Sequence, residues 1–116
     1  MPKQKLDPLP SAAFQILLSL AGEDLHGYGI MRAIADQTGG RMRLGPGTLY
    51  SSIRSLLEAK LIGELDSRED STINHERRRY YRLTLAGRQL ACAEAERLAD
   101  LLRVARAKKI LRGEHV

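Results

Sequence analysis

An α+β fold, mainly α, is predicted by three features met in chain order. Three short segments place apolar residues at helical spacing, two strand-like segments flank a polar stretch, and one long alanine- and leucine-rich segment closes the chain. Short helices, a hairpin and a closing helix in that order describe a winged helix-turn-helix domain over residues 9–84, followed by a C-terminal dimerisation helix over 85–112. At 116 residues the chain supports one hydrophobic core rather than two.

The first helix begins at Ser11, whose hydroxyl is a candidate cap, and sets Phe14, Leu17, Leu18 and Ala21 on one face before Gly22 ends it. The second follows His26-Gly27-Tyr28-Gly29, where His26 can pin the helix start, and carries Ile30, Met31, Ile34 and Ala35 up to Gly39-Gly40. The third opens at Pro46, a residue suited to the first helical position, and runs to about Lys60. At about 100° per residue, Leu49, Ile53, Leu56, Leu57 and the Lys60 stem share one face, while Gly47, Ser51, Arg54 and Ser55 share the other.

Leu61–Asp66 and Arg79–Thr84 have strand character, and the polar stretch 67–78 between them reads as a long mobile loop, the natural wing. The last helix opens at Thr84 and runs to about Leu111. Its Ala91, Ala95, Leu98, Leu102 and Ala105 alternate spacings of four and three, a seam that seeks a partner helix and predicts a homodimer.

Several function classes are excluded. The longest apolar stretch, Ala12 to Ala21, is broken by Gln15 and Ser19 and is shorter than the roughly 20 residues of a membrane helix. With no signal-like N-terminal run, a cytoplasmic location and no membrane partner are expected. Cys92 is the only cysteine and reads as a small buried hydrophobe, and the three histidines have no ligand spacing, so no metal is expected. His-Gly-Tyr-Gly lacks the dinucleotide fingerprint and Gly-Pro-Gly-Thr lacks the P-loop lysine, so no cofactor is expected. No nucleophile with a base and no carboxylate pair points to an enzyme.

The third helix presents what a major groove accepts: small groups around one arginine. Arg54 can donate two hydrogen bonds to guanine or pair with phosphate, and Thr48, Ser51 and Ser55 can bond either. For Tyr50, on the flank, half-buried packing and a phosphate contact are both open, and Tyr28 either packs or touches backbone phosphate. Arg68, His75, Arg77, Arg78, Arg79 and Arg82 form a second basic site on the hairpin. Glu64, Asp66, Glu69, Asp70 and Glu76 balance it formally, and strand alternation is expected to turn acids away from the arginines. The net charge of +5 agrees with a polyanion partner without requiring one.

These residues also fall into ordered blocks: His26-Gly27-Tyr28-Gly29, then Gly45-Pro46-Gly47-Thr48-Leu49-Tyr50, then Leu-Leu-Glu-Ala-Lys-Leu-Ile, then Arg79-Tyr80-Tyr81-Arg82-Leu83-Thr84 with Gly87. Over roughly residues 9 to 111 the chain resembles the PadR family of bacterial transcriptional regulators. The resemblance implies a homodimer on a palindromic double-stranded DNA operator, mostly a repressor. It assigns groove contacts to Pro46, Thr48, Tyr50, Ser51 and Arg54, and backbone contacts to Tyr28 and the wing arginines. Many relatives carry proline where Ser51 stands, glycine where Lys60 stands, and a Gly-Arg-Pro wing that this chain lacks. Compact relatives take a small-molecule effector at the dimer interface, sometimes against a tryptophan; this chain has none, and the effector's identity is open. The rival reading is a helical protein-interaction module that dimerises without specific DNA binding. Salt-sensitive affinity for duplex DNA separates the two.

Overall fold

The computed structural model describes residues 9–69 and 77–112, with the side chains of 66–69 and 77–78 outside the description. Four helices and three strands follow in the order α1 (Ser11–Ser19), β1 (Leu25–His26), α2 (Gly27–Gln37), α3 (Pro46–Glu58), β2 (Ile62–Glu69), β3 (Arg77–Leu83) and α4 (Leu85–Ala107). The sheet is antiparallel with order β1-β3-β2. This is the mainly helical winged architecture that the sequence predicts. No helix among the described residues is long and apolar enough to cross a membrane.

One core joins all layers. Ile16 and Leu17 of α1, Ile30 and Ile34 of α2, Leu49, Ile53 and Leu56 of α3, and Ile62 and Tyr81 of the sheet are buried together. Each such aliphatic side chain contributes about 1.5–3 kcal/mol by leaving water. The α2 and α3 stripes are in the expected phase. That of α1 is shifted by one residue: Ala13, Ile16, Leu17 and Leu20 are buried, whereas Leu18 and Ala21 are exposed. An almost continuous apolar run offers two overlapping stripes, and contact with the rest of the core selects one. Ser11 does not cap α1. Pro10 occupies the cap position, and no side chain supplies a cap hydrogen bond there.

The hairpin is longer than its apolar pattern. β2 pairs with β3 from Ile62 opposite Leu83 to Glu69 opposite Arg77, with an irregularity between Leu65 and Arg68. Backbone pairing thus continues through residues 67–69 and 77–78, which were expected to be loop. The two-residue β1, pairing Leu25 with Tyr81 and His26 with Tyr80, has no sequence signature of its own.

The end of α3 sets the direction of β2. Leu61 N–H donates to the Leu56 carbonyl and Lys60 N–H to that of Leu57, both at 3.0 Å, the paired bonds of a Schellman turn. That turn needs a left-handed residue, and Lys60 supplies it at φ +63°. A non-glycine residue there carries a steric penalty on the order of 1 kcal/mol. Lys60→Gly is therefore expected to stabilise the fold by about 1 kcal/mol, read as a higher urea midpoint at unchanged slope. An unmoved or lowered midpoint would contradict the strain argument.

Candidate nucleic-acid interface

Burial of Leu49, Ile53 and Leu56 fixes the rotation of α3 and turns Ser51, Arg54 and Ser55 outward, with Pro46, Gly47 and Thr48 exposed in the first turn. Arg54 makes no ion pair with any described residue. A guanidinium ringed by small hydroxyl side chains, facing solvent, is a donor set without an internal acceptor.

Tyr50 packs against the start of α2 while staying accessible to solvent. Its hydroxyl end lies over Gly27, where a Cβ would collide with it, yet the residue remains 49% exposed. Gly27, missed as a functional position, is what lets the α3 tyrosine lie against the start of α2. That start is capped as expected: Gly29 N–H donates to His26 Nδ1 at 3.0 Å. The bond requires an unprotonated Nδ1. The His26 ring stands edge-on to Tyr80 at 5.3 Å and stacks at 6.5 Å with Tyr28. Tyr28 is 58% exposed, and the Arg32 guanidinium lies 5.9 Å from its ring centre. Arg32 was also missed; its i,i+4 spacing from Tyr28 was the available signal.

In the hairpin, acids do not all face away from arginines. Arg79 Nη1 meets Glu64 Oε2 at 3.1 Å, and Arg82 Nη2 meets Asp24 Oδ2 at 3.1 Å. Glu64 sits opposite Tyr81 in the register, so it shares a face with the neighbouring strand's odd-numbered residues and reaches Arg79 diagonally. Asp24 precedes β1, the strand invisible in the sequence. The phenol of Tyr81 is held above its ordinary range, first by burial and then by the carboxylate of Glu64 and the nearby Tyr50, so it stays protonated. Arg68 pairs with Arg78 in the backbone register. The side chains of Arg68, Arg77 and Arg78, and His75 altogether, lie outside the described residues.

Along α4, Ala91 rests against the chain's own core. Ala95, Leu98, Leu101, Leu102 and Val104 are exposed and Ala105 is half-buried. Cys92 is exposed rather than buried, its Sγ 3.8 Å from Glu96 Oε2. With Ala91 turned inward, the next residue is rotated by about 100° and leaves the core. Glu94 is gripped by Arg97 at 2.7 Å, and that hydrogen bond holds its carboxyl below the ordinary range.

A family model described as the Transcriptional regulator PadR-like family matches residues 16–92. The chain is 38% identical over 90 residues to an uncharacterized 37.1 kDa protein of transposon TN4556 from Streptomyces fradiae; the match takes in 78% of this chain but only 24% of that protein. Among solved structures, a transcriptional regulator from Clostridium thermocellum superposes with a TM-score of 0.71 at 23% identity, covering 96% of this chain and 100% of the other. Bacillus subtilis PadR in complex with operator DNA superposes with a TM-score of 0.61 at 19% identity, covering 72% of this chain and 47% of that one.

An arginine already paired with a carboxylate must exchange that partner before it can hold a phosphate. The exposed Arg79–Glu64 pair is worth at most about 1 kcal/mol. Glu64→Gln is therefore expected to tighten binding to any duplex by up to about fivefold, read by fluorescence anisotropy. Unchanged affinity would show that Arg79 stays away from the DNA backbone.

Proposed function

Because the chain belongs to the PadR-like family of transcriptional regulators, we propose that it binds a palindromic operator in double-stranded DNA as a homodimer and represses the adjoining gene. A chain of this family acts as a regulator rather than an enzyme. The observation that carries the operator reading is the outward face of α3, where Arg54 stands among Ser51, Ser55 and Thr48 with no ion pair to any described residue. B. subtilis PadR, of the same fold, was captured on its operator, which supports placing α3 in the major groove and Tyr28, Tyr50 and the hairpin arginines along the backbone. Operator binding also requires the chain to be cytoplasmic, alongside its DNA.

The second copy is supported by the free half of α4. Set antiparallel about Asp100, two helices bring Leu98 against Leu102 and Ala95 against Ala105 of the other copy, while Glu94 faces Arg106. A parallel arrangement instead crowds Arg103, Arg106, Lys108, Lys109 and Arg112 of both copies at one end. A small-molecule effector would act on this pair by favouring a dimer whose α3 helices no longer match successive groove faces.

Duplex from upstream of the chain's own gene is expected to bind selectively over random duplex, more weakly as salt rises. Absence of binding at low salt would favour the protein-interaction module instead. Arg54→Ala should reduce discrimination between sequences by about 1–3 kcal/mol if the arginine reads a base. Equal weakening on all sequences would reassign it to phosphate.

For the dimer, Leu98→Glu with Leu102→Glu is expected to yield monomers in sedimentation and to cost most of the operator affinity. In a Cys92→Ser background, Ala95→Cys combined with Ala105→Cys should cross-link two copies, whereas Ala95→Cys alone should not. Cross-linking by Ala95→Cys alone would mean parallel helices.

A further inference from the structure

Two arginines between α2 and α3 have no role in the site described so far. Resting on the duplex-binding reading, we propose that Arg41 and Arg43 form a further phosphate-binding edge, gripping the DNA backbone just ahead of α3.

Burial alternates along this connector: Met42 and Leu44 pack against the core, while Arg41 and Arg43 are exposed. Alternation puts both guanidinium groups on the outer side. The connector is fixed before any partner arrives. Gly39 and Gly40 adopt φ of +62° and +83°, conformations open to glycine. Gly40 N–H donates to the Ala35 carbonyl at 2.7 Å and Arg41 N–H to that of Thr38 at 3.1 Å. The Thr38 hydroxyl donates to the Ile34 carbonyl and accepts from Met42 N–H, each at 2.9 Å. A segment pinned in this way loses little backbone freedom on binding.

The charge is also uncommitted. Neither arginine is ion-paired among the described residues, Asp36 of the preceding turn included. From Gln37 to Leu57 the chain holds Arg41, Arg43 and Arg54 and no acid, so one continuous stretch leads from the connector to the outer face of α3 without a carboxylate to repel DNA. Arg43 reaches over Gly40, its Nη2 3.8 Å from where a Cβ would stand, and Arg41 borders an open hollow of about 600 Å³ with Gln37, Thr38, Gly39 and Met42. Both are open to a long polyanion. A phosphate backbone suits two donor forks on a rigid edge, because each can bond phosphate oxygens in a bidentate way.

The test compares the full chain with Arg41→Gln/Arg43→Gln and with Arg41→Lys/Arg43→Lys on operator and random duplexes across a salt series. Each phosphate contact adds about 0.9 to the slope of log affinity against log salt. The glutamine variant removes two contacts from each copy of the dimer, so it is expected to lower that slope by about 3.6 and to weaken both duplexes alike, with the circular dichroism melt unchanged. The lysine variant should keep most of the slope. A wild-type slope in a folded glutamine variant overturns the edge while leaving the operator reading intact, and so does a loss confined to the operator. Failure of the unmodified chain to bind any duplex overturns both.

Discussion

Everything that α3 presents to solvent depends on a knot of contacts around Thr84. Its hydroxyl donates to the Lys60 carbonyl at 2.9 Å and accepts from Gly87 N–H at 3.0 Å, and its own N–H donates to the Leu61 carbonyl at 3.2 Å. Gly87 belongs to the same knot: a Cβ there would collide with the Leu61 carbonyl oxygen. The turn that follows α3, the residue that precedes β2 and the first turn of α4 therefore share one set of hydrogen bonds. A capping hydroxyl is ordinarily worth about 1 kcal/mol; this one also bonds across to a different element. The strained φ of Lys60 persists because the turn it closes places both carbonyls that Thr84 reads. A reorientation of α4 must move the base of α3 or break the knot, so the two helices are mechanically coupled.

At the other end of α3 the constraint is steric. Tyr50 can lie across the start of α2 only because residue 27 has no side chain, and α2 can start there only because His26 turns its Nδ1 to the exposed N–H of Gly29. His26 in turn stands on the sheet through Tyr80, and β1 ties it to β3. Tyr28 and Tyr50 are thus held at fixed positions while remaining 58% and 49% exposed. Tyrosines anchored this way have little side-chain freedom left to lose on meeting a partner.

The contrast between what could be read in the sequence and what could not follows from the same forces. α2 and α3 were legible because each has polar residues on one side of a clear stripe, and His26 and Thr84 because polar residues just before a helix have few other uses. The phase of α1 was hidden by the surplus of apolar residues in Ala12–Ala21: when nearly every position can be buried, contact with α2 and α3 decides. β1 and the outer parts of the hairpin are held by backbone hydrogen bonds, which leave no trace in side-chain hydrophobicity, and the pairing of Arg82 with Asp24 depends on that unseen strand. Cys92 was judged by residue type, whereas its burial depends on the rotation of α4, set by Ala91. Within the candidate site, Ser51, Arg54 and Ser55 followed from the periodicity of α3, whereas a role for Pro46 came only with the family resemblance. The hairpin arginines were identified by composition, but their internal partners are long-range contacts.

Those partners change how the electrostatics of the molecule should be understood. The net charge of +5 is matched by five cations between Arg103 and Arg112, at the far end of α4, so the remainder of the chain is close to balanced. With a Debye length of about 8 Å at physiological salt, a charge excess at that end does little for a duplex lying on α3. Attraction there must come from side chains in contact. The hairpin supplies Arg79 and Arg82 already neutralised by Glu64 and Asp24, so a phosphate gained is a carboxylate lost. The acid-free stretch from Gln37 to Leu57 supplies cations with nothing to exchange. Among the described side chains, then, the two hairpin arginines are held by carboxylates, whereas Arg41, Arg43 and Arg54 are ion-paired with none.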